Sequence, residues 1–230
     1  MKRNNQIIFA IFSLALAALA CNAVAGGGGE VEDPTGPTST PSPRVIFSDD
    51  FSSTGWGVGT DDKSSVEYAN NALQVILFTN NYFVWSTPPG DNFYENTHME
   101  VKVLNNGTDS TTAFGIICNK QGATSNFHYV AMTPAGEYAI AKATEGQKDV
   151  FLTNNDAWAS SDLIPTDAAS YTVGADCGNG TLTLYVNGQQ IASAADASYV
   201  SGGAAVFAWS GEEVNSANVS FDDFLITELP

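Results

Sequence analysis

From residue 45 onward the chain is written in short apolar or alternating runs, each broken within about ten residues by Gly, Asn, Asp or Ser. A helix needs apolar side chains returning every three or four positions over ten or more residues, and no stretch keeps that period. The Ala-rich pieces around Ala157 and Ala192 are interrupted by polar residues and read as loop or strand. A half-buried strand needs only alternation over a few residues. Strands are therefore expected at 45–51, 65–68, 73–79, 82–86, 97–104, 113–119, 127–133, 137–142, 149–152, 170–177, 181–186, 189–194, 204–209 and 217–228. Their richness in Val, Ile, Phe, Tyr and Thr, with turns at regular spacing, predicts an all-β sandwich. Asn187-Gly188 is expected to close a two-residue type I′ hairpin, because both residues tolerate positive φ. Asn179-Gly180 and Asn70-Asn71 do similar work between their flanking runs.

The first 43 residues follow other rules. Lys2 and Arg3 precede an apolar and small-residue run at 7–20, which has the length of a signal-peptide core and is too short to span a bilayer. It ends in Ala18-Leu19-Ala20-Cys21, which resembles the bacterial lipobox, with Ala18 where Leu is usual. The expected layout is a signal peptide at 1–20, lipidation of Cys21, a tether at 21–43 and a folded domain at 44–230. Cleavage after Ala23-Val24-Ala25 is the alternative and would discard Cys21. Residues 26–43 begin with four glycines and continue in Pro, Thr, Ser and acidic residues. Such a segment buries too little apolar surface to offset its ordering entropy, and suits a spacer between membrane and domain. The expected location is outside the cytoplasm, on a bacterial membrane.

Charge and cysteines narrow the partners. Residues 44–230 hold six Lys or Arg against 22 Asp or Glu, which excludes nucleic acid, since phosphate binding needs a basic patch. Outside the cytoplasm Cys118 and Cys177 are expected to pair; two buried free thiols are the alternative. Neither has zinc-ligand spacing.

The hairpin Leu182-Thr-Leu-Tyr-Val-Asn-Gly-Gln-Gln-Ile191 resembles one that recurs in concanavalin A-like lectin/glucanase domains and their laminin G-like relatives. Val219-Ser-Phe-Asp-Asp-Phe-Leu-Ile226 is similar to their closing strand. Phe47-Ser-Asp-Asp-Phe51, followed by Gly55-Trp56, is similar to their opening strand. Within that group the resemblance is strongest to bacterial domains related to the 3-keto-disaccharide hydrolase family. It implies a jelly-roll sandwich of two curved antiparallel sheets with first and last strands adjacent. That fold hosts lectins, hydrolases and plain interaction modules alike.

A glucanase on this fold carries E-x-D-x-x-E or a close variant along one strand, and no such run exists here. No G-x-S-x-G elbow is present either. Of the two histidines, His98 is expected at the surface, and His128 either in a groove or, by preference, hydrogen-bonded within the structure. Aromatic rings are the better functional material, because sugars lay their C–H faces on them while amides and carboxylates take the hydroxyls. Trp158 stands in a polar loop beside Asn154, Asn155 and Asp156; Trp85 and Tyr82 are the next candidates for a sugar-stacking site, and Trp56 and Trp209 are expected to be packing residues. Asp49, Asp50, Asp222 and Asp223 come together if the end strands pair, making a calcium site or simply outward-facing polar positions. No other cofactor is expected. The leading expectation is a membrane-tethered, non-catalytic glycan-contacting module; a hydrolase and a ligand-free interaction domain are the alternatives.

Overall fold

Paired asparagines and Asn-Gly steps close the hairpins as the sequence predicts. Asn187 (φ 52°) and Gly188 (φ 75°) join two strands directly, and Asn70 and Asn71 (φ 56° and 58°) join two others. The computed structural model describes residues 42–90, 92–212 and 216–229, so the signal peptide, Cys21 and all but the end of the tether lie outside the described residues.

The described residues form seventeen strands and no helix. They are β1 (Val45–Asp49), β2 (Gly59–Thr60), β3 (Ser64–Ala69), β4 (Ala72–Leu77), β5 (Phe83–Ser86), β6 (Tyr94–Glu95), β7 (Thr97–Asn105), β8 (Ala113–Lys120) and β9 (Phe127–Met132). Then come β10 (Glu137–Ala143), β11 (Val150–Phe151), β12 (Ala159–Ser160), β13 (Ser170–Gly178), β14 (Thr181–Val186), β15 (Gln189–Ala195), β16 (Ser201–Trp209) and β17 (Ala217–Glu228). All fourteen expected strands are present within a few residues. The three additional ones, β2, β6 and β12, are two residues long and carry no readable alternation.

Two antiparallel sheets result. One runs β15-β14-β13-β7-β17-β4-β3-β2, with β1 also on β17; the other runs β11-β10-β9-β8-β16-β5, with β12 on β10 and β6 on β16. First and last strands are adjacent, as expected. β17 shares one edge between two partners: its first half pairs with β4 and its second half with β1, across a bulge between Asp222 and Leu225. The expected first strand is cut short at Asp49, because Phe51 takes a positive φ (54°) and turns its ring into the core. There it meets Trp56, whose indole N–H donates to Asp49 Oδ2 (3.0 Å) and whose ring packs edge-on against Phe224 of β17.

Between the sheets lies a core of strictly inward positions: Met99, Val101 and Val103 of β7, Val173 and Ala175 of β13, and Phe114, Ile116, Val130 and Val206 from the opposite sheet. The Cys118–Cys177 disulfide crosses this core and ties β8 to β13.

An aromatic groove on the outer face of the second sheet

The eight-stranded sheet is apolar on both faces. In β9, Val130 and Met132 point to the other sheet, while Phe127, Tyr129 and Ala131 point outward. In β16, Val206 and Ala208 point inward, and Ala205 and Phe207 outward. Phe83 and Trp85 of β5 complete this second, outer cluster. Phe83 stacks on Phe207 at 4.6 Å, and its ring lies within 6.2 Å of Tyr129, Trp85 and Phe127.

Register gives the cluster its shape. A row across the sheet runs Trp85, Phe207, Gly115, Ala131 and Ala139, two large rings followed by residues with little or no side chain. A Cβ on Gly115 would lie 1.9 Å from the Val130 carbonyl oxygen and 3.1 Å from the Phe207 ring, so only glycine fits there. Ala113, Ala131 and Ala143 extend the low strip. Aromatic rings rise beside it, leaving a groove of about 550 Å³.

Two loops wall the groove. From one comes Trp158, stacked nearly parallel on Trp209 (6.3 Å, 15°) and packed on Phe151. The Trp209 indole N–H points to Asn81 Oδ1 at 3.4 Å. The other loop is the turn between β10 and β11, where Gln147 N–H donates to the Thr144 carbonyl and Glu145 N–H to Asn126 Oδ1 (2.7 Å). It presents Glu145, Gln147, Lys148 and Asp149 to the groove. Asp149 Oδ2 accepts the Tyr129 hydroxyl at 2.9 Å. Burial raises the Asp149 carboxyl above the ordinary aspartate range, against the lowering effect of that hydrogen bond. Burial first, and then the Asp149 charge, push the Tyr129 phenol far up, so it stays a hydrogen-bond donor.

The structure separates the expected site residues. Trp158 and Trp85 line this groove, both half-exposed. Tyr82 does not: it sits on the opposite face from Phe83 and packs against the inter-sheet core, with the Lys63 ammonium over its ring. Asn154, Asn155 and Asp156 do not line the groove either. They are three successive residues at positive φ (47°, 55° and 63°). Asn154 donates to the Trp158 carbonyl, and Asp156 accepts from Phe151 N–H. They shape the loop that carries Trp158. His128 faces away from the groove and is fully buried. Its Nε2 donates to Asp196 Oδ1 (3.2 Å) and its Nδ1 accepts from Asn119. Burial holds the ring's pKa below that of a free histidine despite the Asp196 charge. The half-buried His98 bonds Asp176 (2.7 Å) on the outer face of the nine-stranded sheet.

The four aspartates proposed for calcium divide. Asp49, Asp50 and Asp223 border one shallow depression, while Asp222 turns to Lys102 (3.6 Å). Asp49 is already engaged by Trp56 and by Phe51 N–H. Among the described residues no three carboxylate, imidazole or thiolate groups converge as a metal site.

Sequence reasoning missed Trp209, Phe83, Phe127, Tyr129 and Asp149 as groove residues. Trp209 ends an apolar strand and looked like core. The available signal was the unbroken run Phe114-Gly-Ile-Ile-Cys118, which marks a strand buried on both faces.

No protein-family model and no curated protein matches the sequence. Solved structures do match. The carbohydrate binding module CBM66 from Bacillus subtilis superposes with a TM-score of 0.59 at 11% identity, covering 76% of this chain and 96% of that one. A Bacillus subtilis protein of unknown function with a galectin-like fold gives 0.57 at 10% identity, over 80% and 96%. Bacillus licheniformis β-glucanase gives 0.51 at 14% identity, over 80% and 98%. With its two antiparallel sheets and paired end strands, the described domain has the concanavalin A-like lectin/glucanase fold.

Proposed function

We propose that this chain is an extracytoplasmic lipoprotein whose domain binds a glycan in the aromatic groove. The observation that carries the reading is the outer face of the eight-stranded sheet. A sandwich needs each sheet to be apolar on one side only, and a second apolar face rimmed by polar groups marks a binding surface. Here that face offers the near-parallel Trp158 and Trp209, the Phe83–Trp85 pair, and amide and carboxyl groups beside them. Flat rings flanked by hydrogen-bonding groups are the surface a sugar ring fits. That CBM66 is a carbohydrate binding module, on the same fold, agrees with this reading.

A glycan-array screen of the full-length chain tests it: binding to at least one glycan family supports the reading, and a blank array at high protein concentration contradicts it. The anchor is tested separately by palmitate labelling in a bacterial host, which Cys21→Ala should abolish. Labelling that survives the change contradicts lipidation.

A hydrolase is the second reading, and one observation favours it. Asp149 is a groove carboxyl with a raised pKa, and Glu145 and Glu212 line the same groove, so an acid and a base are both on hand. The first reading expects no product from β-glucans or 3-keto-disaccharides. Turnover lost in Asp149→Asn would move the hydrolase ahead.

A further inference from the structure

The groove is aromatic and acidic at once. Glu145 and Lys148 come from the β10–β11 turn, Asp149 follows them, and Glu212 comes from the segment after β16. That places three carboxylates against two ammonium groups, Lys148 and, over the Trp85 ring at 5.9 Å, Lys120. Glu145 and Glu212 are exposed on the rim, and Asp149 is held in the wall by the Tyr129 hydroxyl. The ring faces of Trp158 and Trp209 add negative quadrupoles, which attract cations and repel anions, while Trp85 already has the Lys120 ammonium over its ring. Around them the whole chain carries a formal charge of −17. A carboxylate or sulfate on a bound sugar would meet like charge from rim, wall and ring faces together. A hydroxyl or an N-acetyl group would meet only hydrogen-bonding partners, and a sugar ammonium would be attracted.

We propose that the groove selects its glycan by charge, taking neutral and amino-sugar chains and rejecting uronate and sulfated ones, with Glu145, Asp149 and Glu212 as the specificity-determining residues. This rests on the glycan reading above. One like charge within a few ångströms at a protein surface lowers affinity by roughly fivefold to tenfold, so three together should exclude anionic chains by at least about tenfold.

The test measures affinity of the full-length chain for matched pairs: a β-1,3-glucan, a β-1,4-glucan and a dextran, each beside its carboxymethylated or sulfated derivative, with chitosan as the cationic arm. At about 0.01 M salt a neutral parent that binds should outbind its anionic derivative at least tenfold, and the gap should shrink at about 1 M, where screening acts within ~3 Å. Substituting both rim residues, Glu145→Gln with Glu212→Gln, should narrow the low-salt gap at least threefold. Derivatives that bind as tightly as their parents, or a gap unmoved by both salt and the double substitution, would overturn charge selection while leaving glycan binding in place. Failure to bind any polysaccharide would overturn the glycan reading, and this inference with it.

Discussion

The outer faces of the two sheets were built from the same alphabet and came out opposite. In β7, Met99, Val101 and Val103 point inward, and His98, Glu100 and Lys102 point out, the alternation expected of a sheet wet on one side. The outer positions of β13 and β14 continue it: Tyr185 donates to Asp176, which accepts from His98. In β8 and β9 no such alternation exists, and every residue is buried. The inner faces make the sandwich; Phe127, Tyr129 and Phe207 form a second buried cluster on the far side, with Phe83, Trp85 and Trp158 packed against it. A second apolar face, beyond the one a sandwich requires of each sheet, is the part of the molecule most in need of a functional explanation.

If that division is right, inner and outer positions should respond to different assays. The largest effect belongs to the inner face: Phe114→Ala removes a fully buried ring and should lower unfolding free energy by about 3–5 kcal/mol in a denaturant titration. A loss below ~1 kcal/mol would mean that the inner face is not where the fold is held. Next, removing the inter-sheet disulfide with Cys118→Ala and Cys177→Ala should cost about 2–4 kcal/mol, since it closes a loop of 59 residues in the unfolded chain. An unchanged urea midpoint would contradict this.

The two histidines sharpen the contrast through pH. His98 has its pKa raised by the Asp176 hydrogen bond, so the stability it contributes is complete below about pH 6.5 and is lost as pH rises through its folded value. His128 has its pKa lowered by burial, so its contribution is present above about pH 6.5 and is lost as pH falls. Between about pH 5.5 and 8 stability should therefore pass through a maximum near 6.5, each limb no steeper than ~1.4 kcal/mol per pH unit. His98→Asn should flatten the alkaline limb and His128→Asn the acid limb. A profile that only rises with pH would contradict the His98 assignment, and one that only falls would contradict the His128 assignment. The smallest stability effect is expected at Trp158→Ala, within about 1 kcal/mol, because the ring sits half-exposed on a loop.

How much of this was legible in the sequence follows from locality. Hairpins such as Asn187-Gly188 and strands such as β7 are specified by neighbours in the chain, so turn chemistry and period two reveal them. The groove is specified by register: Trp85 meets Phe207 and Phe207 meets Gly115 only because β5, β16 and β8 are side by side. That pairing joins positions far apart in sequence and leaves no local trace. Trp158 was readable because a ring in a polar loop has no core to join. Trp209 was not, because the same face of β16 that ends in it is buried. Asn154, Asn155 and Asp156 look like ligand groups from sequence, but their positive φ angles give them a use in turning the loop. His128 shows the same lesson from the other side, as a polar residue whose partners Asp196 and Asn119 lie beyond its own strand.

The central claim is that the outer aromatic face binds sugar while the outer face of the other sheet does not. Isothermal titration of the full-length chain with the best glycan from the array tests it most directly, comparing Trp158→Ala with Tyr185→Ala, one ring from each outer face. The account predicts that Trp158→Ala weakens binding by roughly 1–3 kcal/mol, on the scale known for bases stacked on aromatic side chains, and that Tyr185→Ala leaves it unchanged. Equal affinity in the parent and in Trp158→Ala, or a loss confined to Tyr185→Ala, would contradict it.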